Sequence, residues 1–160
     1  MAELKSGDRC LVFGHLFTFL ATTSETGGRY SIYEDHVPPA GGPPPHTHPD
    51  EELFYIIEGE FEFVLNDLSK PFRVGAGQLV RIPSAAPHTF RNVGSTMGRM
   101  LTIMLPGNLE HYFRDTAVRV NPGTELPDLN QPTDFSKLDL RPAFAMAPVH
   151  NIEFLVPQTA

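Results

Sequence analysis

The sequence predicts an all-β sandwich or barrel that carries a shorter helical tail. Three observations lead there. The first hundred residues break into short runs rich in aromatic, aliphatic and Thr side chains. Turn residues separate those runs at close spacing, as in sandwiches and barrels. Helical periodicity appears only after Pro106-Gly107-Asn108.

In chain order, Leu11 to Thr23 (LVFGHLFTFLATT) reads as a strand segment, and Thr26-Gly27-Gly28 as the turn that follows. Arg29 to Val37 reads as the return strand, with Tyr30, Ile32 and Glu34 on one face and Ser31, Tyr33 and Asp35 on the other. Pro38 to Pro45 (PPAGGPPP) cannot be helix, because proline lacks the N–H and fixes φ; it is an extended connector. Glu51 to Leu65 is the strongest β segment, divided at Gly59 by a tight turn or bulge. Asn66-Asp67 marks another turn. Phe72 to Val74, Gln78 to Ile82, Thr89 to Val93 and Arg99 to Leu105 are four more short strands. In the tail, Leu109, Tyr112, Phe113 and Thr116 follow helical spacing behind Asn108 as N-cap. Thr133 is placed to cap a second helical stretch, Asp134 to Ala147, kinked or split at Pro142, and Ile152 to Val156 reads as a last strand.

The composition narrows the function classes. At 160 residues the chain is expected to be one domain, residues 1–160, with a barrel over about 8–106 and a tail over about 107–150 packing on it. Glycine and proline supply 13 and 16 residues, which fits many turns. Lys plus Arg is 12 against 19 for Asp plus Glu, a net charge of −7 with no basic run, so nucleic acid and anionic membrane surfaces are not expected partners. The single cysteine, Cys10, excludes an internal disulfide and a cysteine-built zinc site. The start of the chain lacks the layout of a signal peptide, and no apolar run approaches the ~20 residues that span a bilayer. The expectation is a soluble, cytoplasmic protein.

The chemistry concentrates in two places. His46 and His48 are one residue apart, a spacing that puts both imidazoles on one face of an extended chain, and Glu52 has the same parity four residues on. His88 follows the Pro83 to Pro87 turn and can add a fourth donor from a neighbouring strand. Imidazole and carboxylate suit divalent first-row metals. Three His and one carboxylate would leave coordination positions open, the layout of a catalytic site. Taken singly, each signal has a plainer reading: a surface HxH pair, a solvated acidic edge at Asp50-Glu51-Glu52, and an exposed His88. Cys10 has no visible base partner, and His15, His36, His111 and His150 read as surface or hydrogen-bonded residues.

Together these residues resemble the cupin superfamily. The first cupin motif is carried by Gly41 or Gly42, His46-Thr47-His48, Glu52 and Gly59, with the six-residue gap from Glu52 to Gly59 that the family has. The second is carried by Gly77, Pro83, Ala85 in the place of a glycine, His88 and Asn92, with every spacing kept. The stretches PPPHTHPDEELFYIIEGEFEF and PGNLEHYFRD are similar to the small, single-domain, quercetin-dioxygenase-like group.

The resemblance implies a cupin double-stranded β-helix, or jelly roll. It implies His46, His48, Glu52 and His88 as ligands to one divalent transition metal (Fe, Mn, Ni, Co, Cu or Zn). Phe54, Ile56 and Phe90 share parity with those ligands and can line a substrate pocket, or else be ordinary core. Asn92 reads as a strand-end residue. The expected activity is that of a dioxygenase on a small aromatic or enolic, flavonol-like molecule, with dioxygen as co-substrate and Glu52 as ligand or as catalytic base. A metal-binding sensor without turnover and a metal-dependent isomerase or lyase are the alternatives. A homodimer is expected from the resemblance alone.

Overall fold

The structure is a computed structural model that describes residues 2–155. Its strands, in chain order, are β1 (Arg9–Val12), β2 (His15–Ala21), β3 (Ser31–Val37), β4 (His46–Thr47), β5 (Glu51–Glu58), β6 (Glu60–Leu65), β7 (Phe72–Gly75), β8 (Leu79–Ile82), β9 (His88–Asn92), β10 (Gly98–Leu105), β11 (Val118–Arg119) and β12 (Glu153–Phe154). They form two antiparallel sheets. One has seven strands in the order β11-β1-β2-β3-β10-β5-β8, and the other five in the order β12-β4-β9-β6-β7. This is the jelly roll of a mostly β protein. Among the described residues no helix is long and apolar enough to cross a membrane.

Alternation decides which face points inward. In β3, Ser31, Tyr33, Asp35 and Val37 are buried while Ile32, Glu34 and His36 are not, and β10 alternates in the same way. Inward side chains of the two sheets form two apolar clusters. One is built on Phe17, Phe19, Tyr33 and Met104, the other on Phe54, Ile56, Phe61, Phe63 and Phe90.

Several elements differ from the sequence expectation for local reasons. The run from Leu11 to Thr23 is two strands, because Phe13 and Gly14 both take positive φ (51° and 82°) and make a two-residue hairpin that pairs Val12 with His15. Gly59 (φ 94°) marks the point where the chain leaves the larger sheet for the smaller one, so β5 and β6 lie in different sheets. Helix α1 (Leu109–Thr116) stops before Val118, which pairs with Leu11 as part of β11. Asn108 makes no side-chain cap; the Leu109 amide donates instead to Asp50 Oδ2, at 2.8 Å. Asp134, not Thr133, caps a short 3₁₀ turn at Phe135–Lys137. Pro142 sits in the first turn of α2 (Arg141–Met146), where its missing N–H costs nothing, so it starts that helix instead of kinking a longer one. Of the expected last strand, Glu153 and Phe154 are β, and Val156 lies outside the described residues.

The helical segment is tied to the sheets by buried groups. Leu109, Tyr112 and Phe113 join the first apolar cluster. Glu110, 2% exposed, accepts from the Thr23 amide (2.8 Å) and the Ser31 hydroxyl (2.5 Å), so this buried carboxylate is held at the end of β3. Two turns position the metal-ligand candidates. A Cβ on Gly42 would lie 1.8 Å from the Phe90 carbonyl oxygen, so only glycine lets the connector pass this close to β9. Ala85 donates its amide to the His48 carbonyl (2.9 Å) from a left-handed conformation, φ 61°. That conformation costs a residue with a Cβ about 1–2 kcal/mol, and glycine's greater unfolded freedom offsets about 0.5–1 kcal/mol. Ala85→Gly is therefore expected to stabilise the fold by up to about 1 kcal/mol, read as a higher thermal midpoint; a lower midpoint contradicts this account of the turn.

Candidate metal centre

His46, His48, Glu52 and His88 converge from both sheets. His46 lies in β4 directly opposite His88 of β9. That strand ends at Thr47, His48 lies in the connection that follows, and the chain crosses to the other sheet, where Glu52 is the second residue of β5. His46, His48 and Glu52 therefore do not share one strand face, as parity alone suggests. The two imidazoles and the carboxylate meet across the interior. Their ligating nitrogens fit one ion: one ring nitrogen from each of His46, His48 and His88 lies within 4.8 Å of the others.

Glu52 Oε2 is 3.0 Å from His48 Nε2 and 3.1 Å from His88 Nε2. Backbone carbonyls fix the other side of two rings: His46 Nδ1 donates to Pro44 (2.8 Å) and His88 Nδ1 to Ala86 (2.8 Å). Those bonds place the proton on Nδ1 and turn each Nε2 lone pair inward, the orientation a metal ligand needs. At His88 that lone pair faces a carboxylate oxygen, and two acceptors this close require a cation or a shared proton between them. The donor set fits a divalent transition metal, and imidazole plus carboxylate does not select among Fe, Mn, Ni, Co, Cu and Zn.

The ionisation of these groups follows from their burial and mutual fields. Burial would raise the Glu52 carboxyl, but the charge and hydrogen bonds of His48 and His88 hold it well below the usual carboxylate range. Burial works against a charged His48 too, yet Glu52 outweighs it and raises the imidazole. His46 is pushed down to about 3, first by burial and then by the neighbouring His88 and His48. It stays neutral, with a free lone pair.

Beside these donors lies a cavity of about 50 Å³, room for a few waters as it stands. His46, Glu52 and His88 form one end of its wall, and most of the remainder is apolar, including Phe17, Phe54 and Phe90. Ile56 does not line it; this side chain is fully buried in the second apolar cluster. Leu109, Tyr112 and Phe113 of α1, with Ile152 and Phe154, close the cavity from the tail. Asn92 ends β9 as a strand-end clamp, donating to the Val37 and Thr96 carbonyls at 2.9 Å each.

One polar pair in this wall is not apparent from sequence. His15 Nδ1 lies 3.2 Å from Asp35 Oδ2, both residues are buried, and both line the cavity. His15 Nε2 and Asp35 Oδ1 find no protein partner; a buried polar atom left so costs about 1–3 kcal/mol. Burial raises the Asp35 carboxyl against the lowering effect of His15. The parity of β3 already turns Asp35 inward, but the facing of His15 follows only from the Phe13-Gly14 hairpin. The other histidines have surface partners: His36 with Glu34 (3.2 Å), His150 with Asp115 (2.9 Å) and His111 with Arg114 (3.4 Å). Burial pushes the Cys10 thiol up to about 11, which leaves it inert.

Residues 33–104 match the family model described as a cupin domain. This stretch runs from β3 into β10 and holds all four candidate donors, while His15, α1 and the closing residues of the tail lie outside it. Over 57 residues the chain is 42% identical to Protein SchB of Streptomyces halstedii, a match covering 35% of this chain and 40% of that protein. Over 67 residues it is 37% identical to dimethylsulfoniopropionate lyase DddQ of Ruegeria pomeroyi, covering 42% and 32%. The chain thus spans about a third to two-fifths of these relatives. Among solved structures, polyketide cyclase RemF of Streptomyces resistomycificus superposes with a TM-score of 0.53 at 29% identity, covering 66% of this chain and 73% of that one.

The buried imidazoles give the metal-free protein a defined pH dependence. His46 has a folded pKa of about 3 and an unfolded value near ~6.5, so between these the unfolded chain binds the extra proton and stability falls as pH falls. His48 acts in the opposite sense: its contribution is full below about 6.5 and is lost as pH rises through its raised folded value. Denaturant midpoints of the metal-free protein should decline on lowering the pH from about 6.5 to 4.5, and His46→Gln should flatten that limb. A variant with the wild-type slope contradicts the assignment.

Proposed function

We infer that the chain is a metal-dependent enzyme that moves a proton on a small substrate bound through an enol, phenol or carbonyl oxygen. The observation that carries this reading is the position of Glu52, an ionised carboxylate held between two imidazoles in the wall of a largely apolar cavity. A divalent ion held by His46, His48 and His88, with Glu52 beside them, would supply Lewis-acid stabilisation of negative charge on the substrate oxygen.

The chain's own groups then divide the work. His46 and His88 are fixed by their backbone carbonyl bonds and hold geometry. Glu52 accepts the proton from the carbon or hydroxyl next to that oxygen: its carboxylate gains the O–H bond, and the electron pair left behind delocalises onto the substrate oxygen. Phe17, Phe54 and Phe90 exclude water, which strengthens each electrostatic contact. Proton removal beside a carbonyl opens both elimination and ring closure. The names of the relatives, a lyase and a polyketide cyclase, support a reaction of that kind.

A dioxygenase acting on a flavonol-like substrate is the second reading, favoured by the three-imidazole donor set facing an apolar chamber. The present free volume of about 50 Å³ counts against a three-ring substrate entering without displacing Tyr112, Ile152 or Phe154. The two readings part on oxygen. Protein loaded with Fe(II), Co(II), Ni(II) or Zn(II) is incubated with small β-dicarbonyl compounds, β-substituted carbonyl compounds and phenols, in air and under nitrogen, with products followed by mass spectrometry. Turnover is expected to be equal in both atmospheres, and Glu52→Gln to lower it by about 100-fold or more. Oxygen uptake in step with product contradicts the reading in favour of the dioxygenase. Binding without turnover contradicts it in favour of a sensor.

A further inference from the structure

A second polar pair lines the same cavity, outside the cupin motifs. We propose that His15 and Asp35 bind a hydroxyl group of the substrate, so that the cavity takes a molecule with an apolar middle and an oxygen function at each end. This rests on the reading that the opposite end of the substrate docks at the His46–Glu52–His88 pole.

The two residues come from adjacent strands, β2 and β3, and are no more than 2% exposed. Each uses one polar atom on the other, at 3.2 Å, and each keeps one atom without a protein partner, His15 Nε2 and Asp35 Oδ1. Both line the same cavity as the metal-ligand candidates. The His15 ring stands 5.9 Å, centroid to centroid, from Phe90, which is two residues beyond His88 on β9. An aromatic wall therefore joins the two poles.

The chemistry of the pair selects the group it takes. Asp35 Oδ1 is an acceptor whether or not the other oxygen carries a proton. With Asp35 ionised, His15 Nδ1 donates to Oδ2 and Nε2 is an acceptor too. A hydroxyl donates to either atom without bringing charge into an apolar wall. A carboxylate or phosphate would set negative charge against Asp35. A hydrocarbon end would leave both atoms unpaired, the situation in which a polar site rejects an analogue lacking its hydroxyl most strongly.

The test uses Zn(II)-loaded protein and four probes: phenol and the 1,2-, 1,3- and 1,4-dihydroxybenzenes, with binding read by calorimetry and metal content by elemental analysis. Wild-type protein is expected to bind at least one dihydroxybenzene about 10-fold or more tighter than phenol. In His15→Phe that preference falls toward unity with metal content unchanged. Asp35→Asn, which keeps shape and a hydrogen bond to the ring, is the second variant and is expected to lower the preference at least about threefold. A wild type without the preference, including one that binds none of the probes, overturns the proposal, as does a preference that survives in both variants. Metal-free wild type separates the two readings. If it binds the probes as well as the loaded protein does, with a preference that still depends on His15, the hydroxyl site stands and docking at the metal pole fails.

Discussion

A carboxylate can be kept in a protein interior only where positive charge or hydrogen-bond donors meet it, and Glu52 is met by His48 and His88 at 3.0 and 3.1 Å. The surrounding architecture makes that meeting possible. The smaller sheet supplies His46 and His88 through the pairing of β4 with β9, the connection after β4 supplies His48, and the larger sheet brings Glu52 across on β5. The Ala85 amide holds the His48 carbonyl in that crossing, and Gly42 lets the connector lie against β9. Loss of closure between the sheets would leave a buried charge without compensation.

The same interior explains why the site is chemically directional. One end of the cavity holds two of the imidazoles, His46 and His88, and the Glu52 carboxylate, much of the wall is aromatic, and the tail closes it with Tyr112, Phe113 and Ile152. The tail is itself held by buried polar groups, Asp50 on the Leu109 amide and Glu110 on Thr23 and Ser31. Asp50 lies between His48 and Glu52 in sequence. The crossing that builds the metal pole therefore also anchors the helix covering the cavity. The stretch that matches the cupin domain model, residues 33–104, supplies the donors. The hairpin before it and the helix after it supply much of the remaining wall.

The strands of the first hundred residues and the four donors are legible in the sequence because both depend on local spacing. Alternation fixes the inward face of β3, and the two motifs fix which imidazoles and carboxylate belong together. What sequence does not show depends on the third dimension. Parity places His46, His48 and Glu52 on one strand, whereas the first strand ends at Thr47 and the next begins at Glu51 in the other sheet, with His48 in the connection. Ile56 shares parity with Glu52 and still misses the cavity, since parity gives a face and not a depth along the strand. The facing of His15 is hidden because Phe13 takes a positive φ, a conformation that an aromatic residue gives no reason to expect, although Gly14 beside it is a turn signal. Helix boundaries in the tail shift for similar reasons: the cap on α1 comes from Asp50, far away in sequence, and Pro142 begins a helix.

The central claim is that three imidazoles, with Glu52 beside them, hold one ion. An anomalous-difference map, recorded at the absorption edge of whichever metal co-purifies with untagged protein, tests it directly. The account predicts a single strong peak about 2.0–2.2 Å from one ring nitrogen each of His46, His48 and His88, next to Glu52, the usual range for such donors. A metal peak elsewhere on the chain, or a metal-loaded protein with no peak among these four residues, would contradict it.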